Sequence, residues 1–484
     1  MMNRIVKNIA LFVLLISSIE FGQFYRTEAM GDLRFAIDDV DLKFDPFIMG
    51  GNPAYLWISR KTQRLDITQF NLGDYGNYRR KFSSEKNLNI GANVLGIQPL
   101  GKSGTFQGKA NYLYNKRFNV YRTLKHDTYA GEAFYFADTT TGDVVYNGPL
   151  FEFTHSLPLT EKLSIGGTFG YGLLDGLKKV YTYGETVLRN VYGKIGITYA
   201  ITDKLVVGAD YGITNTQERI VASDVNLFTV ITYQYRGDTH RVQLSGSKQK
   251  YKITKEGNVF GGQLYYLPDE KTKVGLTFDY NLSSTKSIYP VQGMETTDGY
   301  SQFENYSALL KAKREISQHL KLAIIMGYRN NFSWSKAVKT DLLIWKWNYS
   351  DLRAGLGGSI ENVLPNLNFA AEYVISKSAA DSSKYIDNRF NNLNSLNHDF
   401  RLGGEYRLSS FAIRLGYTIL IGEHDFIIGG DDFLFQKITG GIGYSIVKNF
   451  GIELFGFYGS VKDSLERNRN YWNISLNFRF YNLN

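Results

Sequence analysis

The sequence predicts an all-β fold, a transmembrane antiparallel β-barrel, and three observations lead to it. Large apolar side chains alternate with polar ones along many segments, which is the two-residue period of a β-strand. Short polar connections alternate with long ones, as they do in barrels that cross a membrane. Tyr (35), Phe (32) and Gly (48) are abundant among the 484 residues and Pro (8) is scarce, a composition that suits long strands with aromatic girdles.

The first element is a predicted signal peptide over residues 1–23. Arg4 and Lys7 supply positive charge, and an apolar run of eleven residues follows at 9–19. That run is too short to cross a bilayer as a helix and has the length of the apolar part of a secretory signal. We therefore expect cleavage near residue 23 and export, with an uncleaved N-terminal membrane anchor as the alternative.

The composition of the remaining chain excludes several classes of protein. No later apolar run approaches the length of about eighteen residues that a membrane-spanning helix needs. The sequence has no Cys, which excludes disulfides, thiolate metal ligands and a lipoprotein anchor. The net charge of +9 is interpreted as favouring attraction to anionic lipid head groups, because export argues against a nucleic-acid partner.

Residues 24–60 follow the signal peptide and lack regular alternation. Asn52 and Pro53 predict a short helical turn through Trp57, because Asn is a favoured N-cap and Pro suits the first helical position. Three pieces of the segment occur in the order Ala29-Met30-Gly31, Ala36-Ile37-Asp38-Asp39 and Asn52-Pro53-Ala54-Tyr55-Leu56. This order resembles the N-terminal segment of the long-chain fatty-acid transporter family of outer-membrane barrels.

The resemblance implies that residues 24–60 form a plug-like segment inside the barrel. The plug motif would consist of Asp38, Asp39, Asn52, Pro53 and Ala54. Relatives with such an N-terminus also include secretion-accessory barrels that shuttle cargo proteins. Over its whole length the chain resembles a family of uncharacterised outer-membrane barrels of Bacteroidetes-like bacteria, which implies a fold but no function.

Residues 61–484 are predicted to form the barrel, with about 14 strands (12 to 16) at roughly 30–35 residues per strand including loops. Short turns are expected at Leu159–Lys162, Thr202–Lys204, Pro268–Thr272, Ser317–His319, Asn362–Asn366, Ser409–Ser410 and Val447–Asn449. Long outer loops are expected at 174–187, 282–302, 331–347, 378–397, 421–435 and 461–470. The stretch at 233–253 is interpreted as two strands that extend beyond the membrane.

Charged residues lie on the strand faces opposite the apolar ones. In a soluble β-sandwich these faces would meet solvent, but a sandwich does not require regular alternation of short and long connections. In a barrel they would line a wet lumen, since buried charges without water or partners are very costly. The predicted lumen-facing charges are Lys321, Arg329, Glu372, Arg401, Glu405, Arg407 and Arg414.

The last element is the strand YWNISLNFRF at residues 471–480. Its alternation predicts an apolar face toward lipid and a polar face toward the lumen. Bacterial outer-membrane barrels carry an assembly signal here, in a strand that ends in an aromatic residue. Trp472, Phe478 and Phe480 are therefore interpreted as a signal for the barrel-assembly machinery, and Phe480 departs slightly from the pattern because four residues follow it.

The sequence contains no pattern that predicts an enzyme, a cofactor or a metal site. The six His residues have no metal-ligand spacing. His155 and Ser156 are adjacent on a strand and point to opposite faces. The acidic stretch from Glu423 to Asp432 fits no calcium loop and is interpreted as a solvated outer loop.

Two functions therefore remain open for a barrel in the bacterial outer membrane, in contact with its lipids. The first is a transporter that admits small hydrophobic or amphipathic molecules, although the charged inner faces argue against a wide hydrophobic tunnel. The alternative is a non-transporting barrel that serves another protein in assembly, secretion or anchoring. The expected partner is thus either a small hydrophobic ligand or a protein.

Overall fold

The computed structural model describes residues 25–37, 51–59, 62–180, 183–223, 229–291, 294–426, 428–447 and 449–481. These residues form two short α-helices, α1 (Tyr25–Ala29) and α2 (Leu56–Ser59), the 3-10 helices Pro53–Tyr55 and Gly101–Ser103, and twenty strands. Among the helices so described, none has the length and hydropathy needed to cross a membrane.

The strands fall into three groups along the chain. The first seven are β1 (Arg64–Gly76), β2 (Lys86–Pro99), β3 (Thr105–Thr123), β4 (Phe134–Pro158), β5 (Leu163–Lys179), β6 (Tyr183–Thr202) and β7 (Leu205–Ser223). A hairpin follows, formed by β8 (Val230–Arg236) and β9 (His240–Gly246). The last eleven are β10 (Lys248–Asp269), β11 (Thr272–Val291), β12 (Met294–Glu315), β13 (Leu320–Ala337), β14 (Leu343–Leu364), β15 (Leu367–Lys384), β16 (Arg389–Leu408), β17 (Phe411–Asp425), β18 (Gly430–Val447), β19 (Phe450–Lys462) and β20 (Asn468–Tyr481).

Eighteen of these strands close an antiparallel barrel. Each pairs with its neighbour in sequence, except that β7 pairs with β10 past the β8–β9 hairpin. The barrel closes where β1 pairs with β20, from Arg64 opposite Tyr481 to Gly76 opposite Arg469. Closure satisfies the backbone hydrogen bonds of the wall, as a lipid environment requires. The predicted all-β antiparallel barrel is confirmed.

The predicted number of about 14 strands is wrong, because the barrel has 18. The segments expected to be long outer loops are mostly strand. For example, β5 and β6 stay paired as far as Lys179 opposite Tyr183, inside the expected loop at 174–187. These strand ends project beyond the lipid, where both faces become polar, so in sequence they look like loops. The chain consequently uses fewer residues per strand than expected.

The two faces of the wall differ as the alternation predicts. Outward side chains are apolar and exposed, for example Ile195 (65%), Leu415 (64%) and Ile474 (57%). The residues between them point inward, and in β20 the inward Ser475 and Asn477 are buried. An apolar outer face around a polar interior is the arrangement of an outer-membrane β-barrel.

The connections at the two ends of the barrel differ in length. The predicted short turns all lie at one end, where the barrel sequence also begins and finishes. The opposite end carries the longest connections, at 77–85, 124–133 and 224–247. Because short turns of such barrels face the periplasm, we name the first the periplasmic end and the second the outer end.

Candidate functional site

The N-terminal segment, residues 26–37, lies against inward-facing side chains near the periplasmic end. Its Ala29–Gly31 stretch rests on glycines of three adjacent strands. A Cβ atom at Gly403 or Gly416 would overlap the backbone of this stretch, and one at Gly441 would lie 2.8 Å from the Ala29 Cβ atom. The missing side chains leave a groove in the inner wall that this stretch occupies.

Two threonines of the wall bind the same stretch. The Gly31 N–H donates to Thr439 Oγ1 at 2.9 Å, and this hydroxyl donates to the Ala29 carbonyl at 2.8 Å. Thr418 Oγ1 donates to the Gly31 carbonyl at 2.6 Å. Gly31 has φ +80°, a left-handed conformation that glycine adopts without strain.

The carboxylate of Glu372 binds the next turn of the segment. Its oxygens accept hydrogen bonds from the backbone N–H groups of Arg34 at 2.8 Å, Phe35 at 2.6 Å and Ala36 at 2.6 Å. Glu372 is buried in the inner face of β15. Successive N–H groups that converge on one carboxylate form a strong, directional anchor.

Glu405 anchors the start of the segment through charge. It pairs with Arg26 at 3.0 Å and also with Arg407 and Arg414 of the wall, both at 2.8 Å. Arg401 donates to the Asp32 carbonyl at 2.7 Å. Because Glu405 and Arg401 join the segment to a network of wall side chains, the segment is held by charged groups rather than by strand pairing.

The seven sequence-predicted inner charges therefore divide into two sets. Glu372, Arg401, Glu405, Arg407 and Arg414 lie together beneath the N-terminal segment. The other two lie apart from it. Lys321 pairs with Glu361 at 2.9 Å, and the guanidinium of Arg329 lies 5.6 Å from the Tyr349 ring centre.

The Asn-Pro-Ala motif lies against the opposite side of the inner wall. The Asn52 Oδ1 atom accepts the Ala54 N–H at 3.0 Å and opens the 3-10 turn, so the predicted helical turn is confirmed. The Asn52 Nδ2 atom donates to the carbonyls of Ile197 at 3.1 Å and Ala209 at 3.2 Å, and to Gln263 Oε1 at 2.9 Å. An amide with both donor and acceptor atoms is needed for this set of bonds.

The wall is shaped for this motif as well. The Ala54 carbonyl accepts a hydrogen bond from Ser156 Oγ at 2.7 Å. A Cβ atom at Gly166 would lie 2.5 Å from the Ala54 nitrogen, and one at Gly196 would overlap the Asn52 side chain. The Asn-Pro-Ala motif thus fits a recess formed by glycines, as Ala29–Gly31 does.

Two predicted features lie outside the described residues. Asp38 and Asp39 of the plug motif fall between the two docked pieces, and the signal peptide precedes them. Their roles stay predictions.

Trp472, Phe478 and Phe480 lie on the outward face of β20, and their assembly role also stays a prediction.

A second layer fills the lumen at the outer end. Residues 133–138 are each at most 1% exposed, so both faces of this first part of β4 are covered. The stretch pairs with β8 from Phe134 opposite Arg236 to Ala137 opposite Tyr233. We define the outer layer as residues 124–138 and strand β8. Because residues 133–138 are buried on both faces, this layer lies inside the barrel rather than in its wall.

The outer layer is tied across the lumen to distant strands. The Ala133 N–H donates to Ser335 Oγ at 3.1 Å, and the Trp345 indole N–H donates to the Gly131 carbonyl at 3.2 Å. On the other side, the Phe136 ring stacks on Tyr251 with centres 5.0 Å apart. The layer therefore crosses the lumen from β3 and the start of β4 to β10, β13 and β14.

The outer layer was not predicted from the sequence, although one pattern in the sequence indicates it. The stretch AFYFA at 133–137 is apolar without alternation. A short continuous apolar run bounded by polar residues indicates a strand buried on both faces. A wall strand alternates between apolar and polar side chains, so a run that is apolar on both faces could have predicted a strand inside the lumen.

An aromatic cluster faces the outer end beside this layer. The Phe82 ring lies within 5.9 Å of the rings of Tyr121, Tyr135 and Tyr235. Tyr129 borders a cavity of about 80 Å³ beneath the cluster. Burial raises the pKa of Tyr129 to about 12, so its hydroxyl stays neutral while it accepts the Phe82 N–H at 2.8 Å.

Glu372→Gln is expected to loosen the N-terminal segment without opening the barrel wall. Each hydrogen bond to a charged acceptor contributes about 1.5–3 kcal/mol, so hydrogen exchange at Arg34–Ala36 should speed up by about tenfold or more. Mass spectrometry of the peptide that carries these amides measures the rate. Glu361→Gln, which removes a charge paired with Lys321 instead, is the matched control. Equal exchange in both variants would contradict the anchor.

Comparison with known proteins identifies a family but no activity. A family model described as "Family of unknown function (DUF6850)" matches residues 53–480. None of the curated proteins matches the chain.

Similar solved structures include channels and transporters of low sequence identity. The CymD monoaromatic hydrocarbon channel is 13% identical, with 95% of this chain and 97% of that chain covered and a TM-score of 0.38. The FrpB iron transporter from Neisseria meningitidis is 11% identical (90% and 83% covered, TM-score 0.45). The toluene transporter TbuX from Ralstonia pickettii is 12% identical (96% and 99% covered, TM-score 0.37). Since the family match spans nearly the whole barrel, this chain belongs to the family of unknown function DUF6850.

Proposed function

We propose that the protein admits small amphipathic molecules across the outer membrane and that residues 24–60 act as its plug. One observation carries the proposal: two pieces of this segment dock into glycine-shaped recesses of the inner wall through side-chain contacts. A segment held in this way can leave without breaking the sheet. Asp38 and Asp39 would belong to the part of the plug that joins the two pieces.

The barrel wall does not depend on the segment. The first wall strand begins at Arg64 and pairs along its length with β20 and β2. Removing the segment would therefore leave the backbone hydrogen bonds of the wall in place.

The interior supports amphipathic rather than purely hydrophobic substrates. Its wall carries ion pairs such as Lys109 with Glu152 at 2.8 Å and Lys194 with Asp210 at 2.7 Å. Leu150 lies on the same inward face of β4 as Glu152 and is still 40% exposed. Open space therefore remains inside the barrel, between the outer layer and the docked pieces of residues 24–60. An apolar side chain beside charged ones suits a ligand with both characters.

Native mass spectrometry of the protein, purified from its own membrane in mild detergent, tests this proposal against the alternative. We expect a retained mass of a few hundred daltons that organic solvent extracts. Stoichiometric retention of a protein without a small ligand would overturn the transport proposal. It would favour a barrel that serves another protein.

A further inference from the structure

We propose that the outer mouth binds an anion that carries a flat apolar ring, such as an aromatic carboxylate or sulfonate. The inference rests on the proposed function, because it names the class of molecule that the barrel would admit. The cation–aromatic site consists of Lys81, Arg122, Arg241, Tyr121 and Tyr233.

The cations of this site lie over aromatic rings. The Lys81 ammonium is 5.7 Å and the Arg122 guanidinium 5.1 Å from the centre of the Tyr121 ring. The Arg241 guanidinium is 4.7 Å from the centre of the Tyr233 ring. Two cations thus share one ring, so the attraction of each for the ring is offset by their mutual repulsion.

A second feature of this site is the charge balance of its cations. Several other cations of the outer end are paired, for example Arg79 with Glu85 at 2.9 Å and Arg236 with Asp298 at 2.5 Å. Within the part of the chain that the structure describes, no ion pair joins a carboxylate to Lys81, Arg122 or Arg241. A bound anion would supply the missing charge.

An irregular backbone conformation positions the side chain of Arg122. The pairing of β3 with β4 shifts register between Tyr121 and Thr123. Arg122 lies in this irregularity with φ +55°, a left-handed conformation that a non-glycine residue adopts only at a cost of about 1–3 kcal/mol. Bulges that re-aim a side chain are frequent next to binding sites.

The rings of the site pack against other aromatic rings. Phe82 is buried and packs against Tyr121 at 5.9 Å and against Tyr235 at 5.6 Å, and Tyr235 in turn lies 6.5 Å from Tyr233. Arg241 also donates to the Tyr235 hydroxyl at 3.4 Å. A ligand ring could therefore stack on aromatic faces that are already ordered, while its anionic group meets the cations. Ring and charge together should bind better than either alone.

Isothermal titration of the full-length protein in dodecyl maltoside with naphthalene-2-sulfonate tests the site. We expect it to bind at least about tenfold more tightly than 2-naphthol, which lacks the charge, or methanesulfonate, which lacks the ring. The double variant Lys81→Gln with Arg122→Gln should lose at least about tenfold in affinity. The double variant Lys248→Gln with Lys250→Gln removes two exposed cations of the same end and should bind normally.

Three results would overturn the inference. One is equal affinity for methanesulfonate and naphthalene-2-sulfonate, because the site would then recognise only the charge. Another is an equal loss in both double variants, which would indicate general electrostatic attraction. The third is unchanged binding in Tyr121→Leu, which keeps the charges and removes a ring. Heat-modifiable electrophoretic mobility verifies that each variant is folded. Because these assays measure binding alone, they can fail while the thiol-labelling experiment below succeeds, and the reverse.

Discussion

A Cys placed at Leu150 is expected to become accessible when residues 26–57 are deleted. The side chain is 40% exposed on the inward face of β4, and the Asn-Pro-Ala motif contacts the same face nearer the periplasmic end, through Ser156. Contacts worth a few kcal/mol would keep the open form at about 0.1–10% of the population, so deletion should raise the thiol-labelling rate by at least about tenfold. The rate is measured with a charged maleimide on the detergent-purified protein.

The chain contains no Cys, so the maleimide reacts only with the introduced thiol. A Cys at Lys271, in the exposed turn between β10 and β11, is the matched control and should react equally with and without the deletion. If Leu150→Cys reacts at the same rate in both backgrounds, the segment does not close the lumen. The shift of the folded band on electrophoresis shows that the wall has formed.

The barrel itself could be predicted from the sequence because its physical cause is local. In β20, Ile474 and Ser475 differ in polarity because one meets lipid and the other the interior, and this contrast repeats at every second residue. The number of strands could not be predicted in the same way. Beyond the lipid the contrast disappears, so paired strand ends such as Lys179 and Tyr183 resemble loops.

The site could be predicted only in part. Glu372 and Glu405 were recognisable as inward charges from the alternation of their strands. Their partners were not, since the backbone N–H groups that bind Glu372 leave no trace in residue type and lie more than three hundred positions away. The Asn52 cap was predictable because it depends on neighbours in sequence, whereas its bonds to Ala209 and Gln263 depend on the closed barrel.

A disulfide between Ala36→Cys and Gly357→Cys is expected to stop passage through the barrel reversibly. The Ala36 Cβ atom lies 3.2 Å from the position of a Cβ atom at Gly357, slightly less than the separation of about 3.5–4.5 Å in disulfides, and the Phe35 ring, 2.7 Å from the same position, has to turn aside. The bond would hold the N-terminal segment on the inner face of β14. Uptake of naphthalene-2-sulfonate into proteoliposomes should fall to the level of protein-free liposomes after oxidation and recover on reduction.

The single variants Ala36→Cys and Gly357→Cys control for the substitutions, since neither can form the bond within the chain. Both should transport at the same rate with and without oxidant. Equal uptake by the oxidised and reduced double variant, above the level of protein-free liposomes, would show that molecules pass while the segment stays docked, and the segment would then not act as a plug. A block that only the oxidised double variant shows would instead assign gating to the movement of this segment, because the disulfide would join the segment to β14 and would add no link between strands of the eighteen-stranded wall.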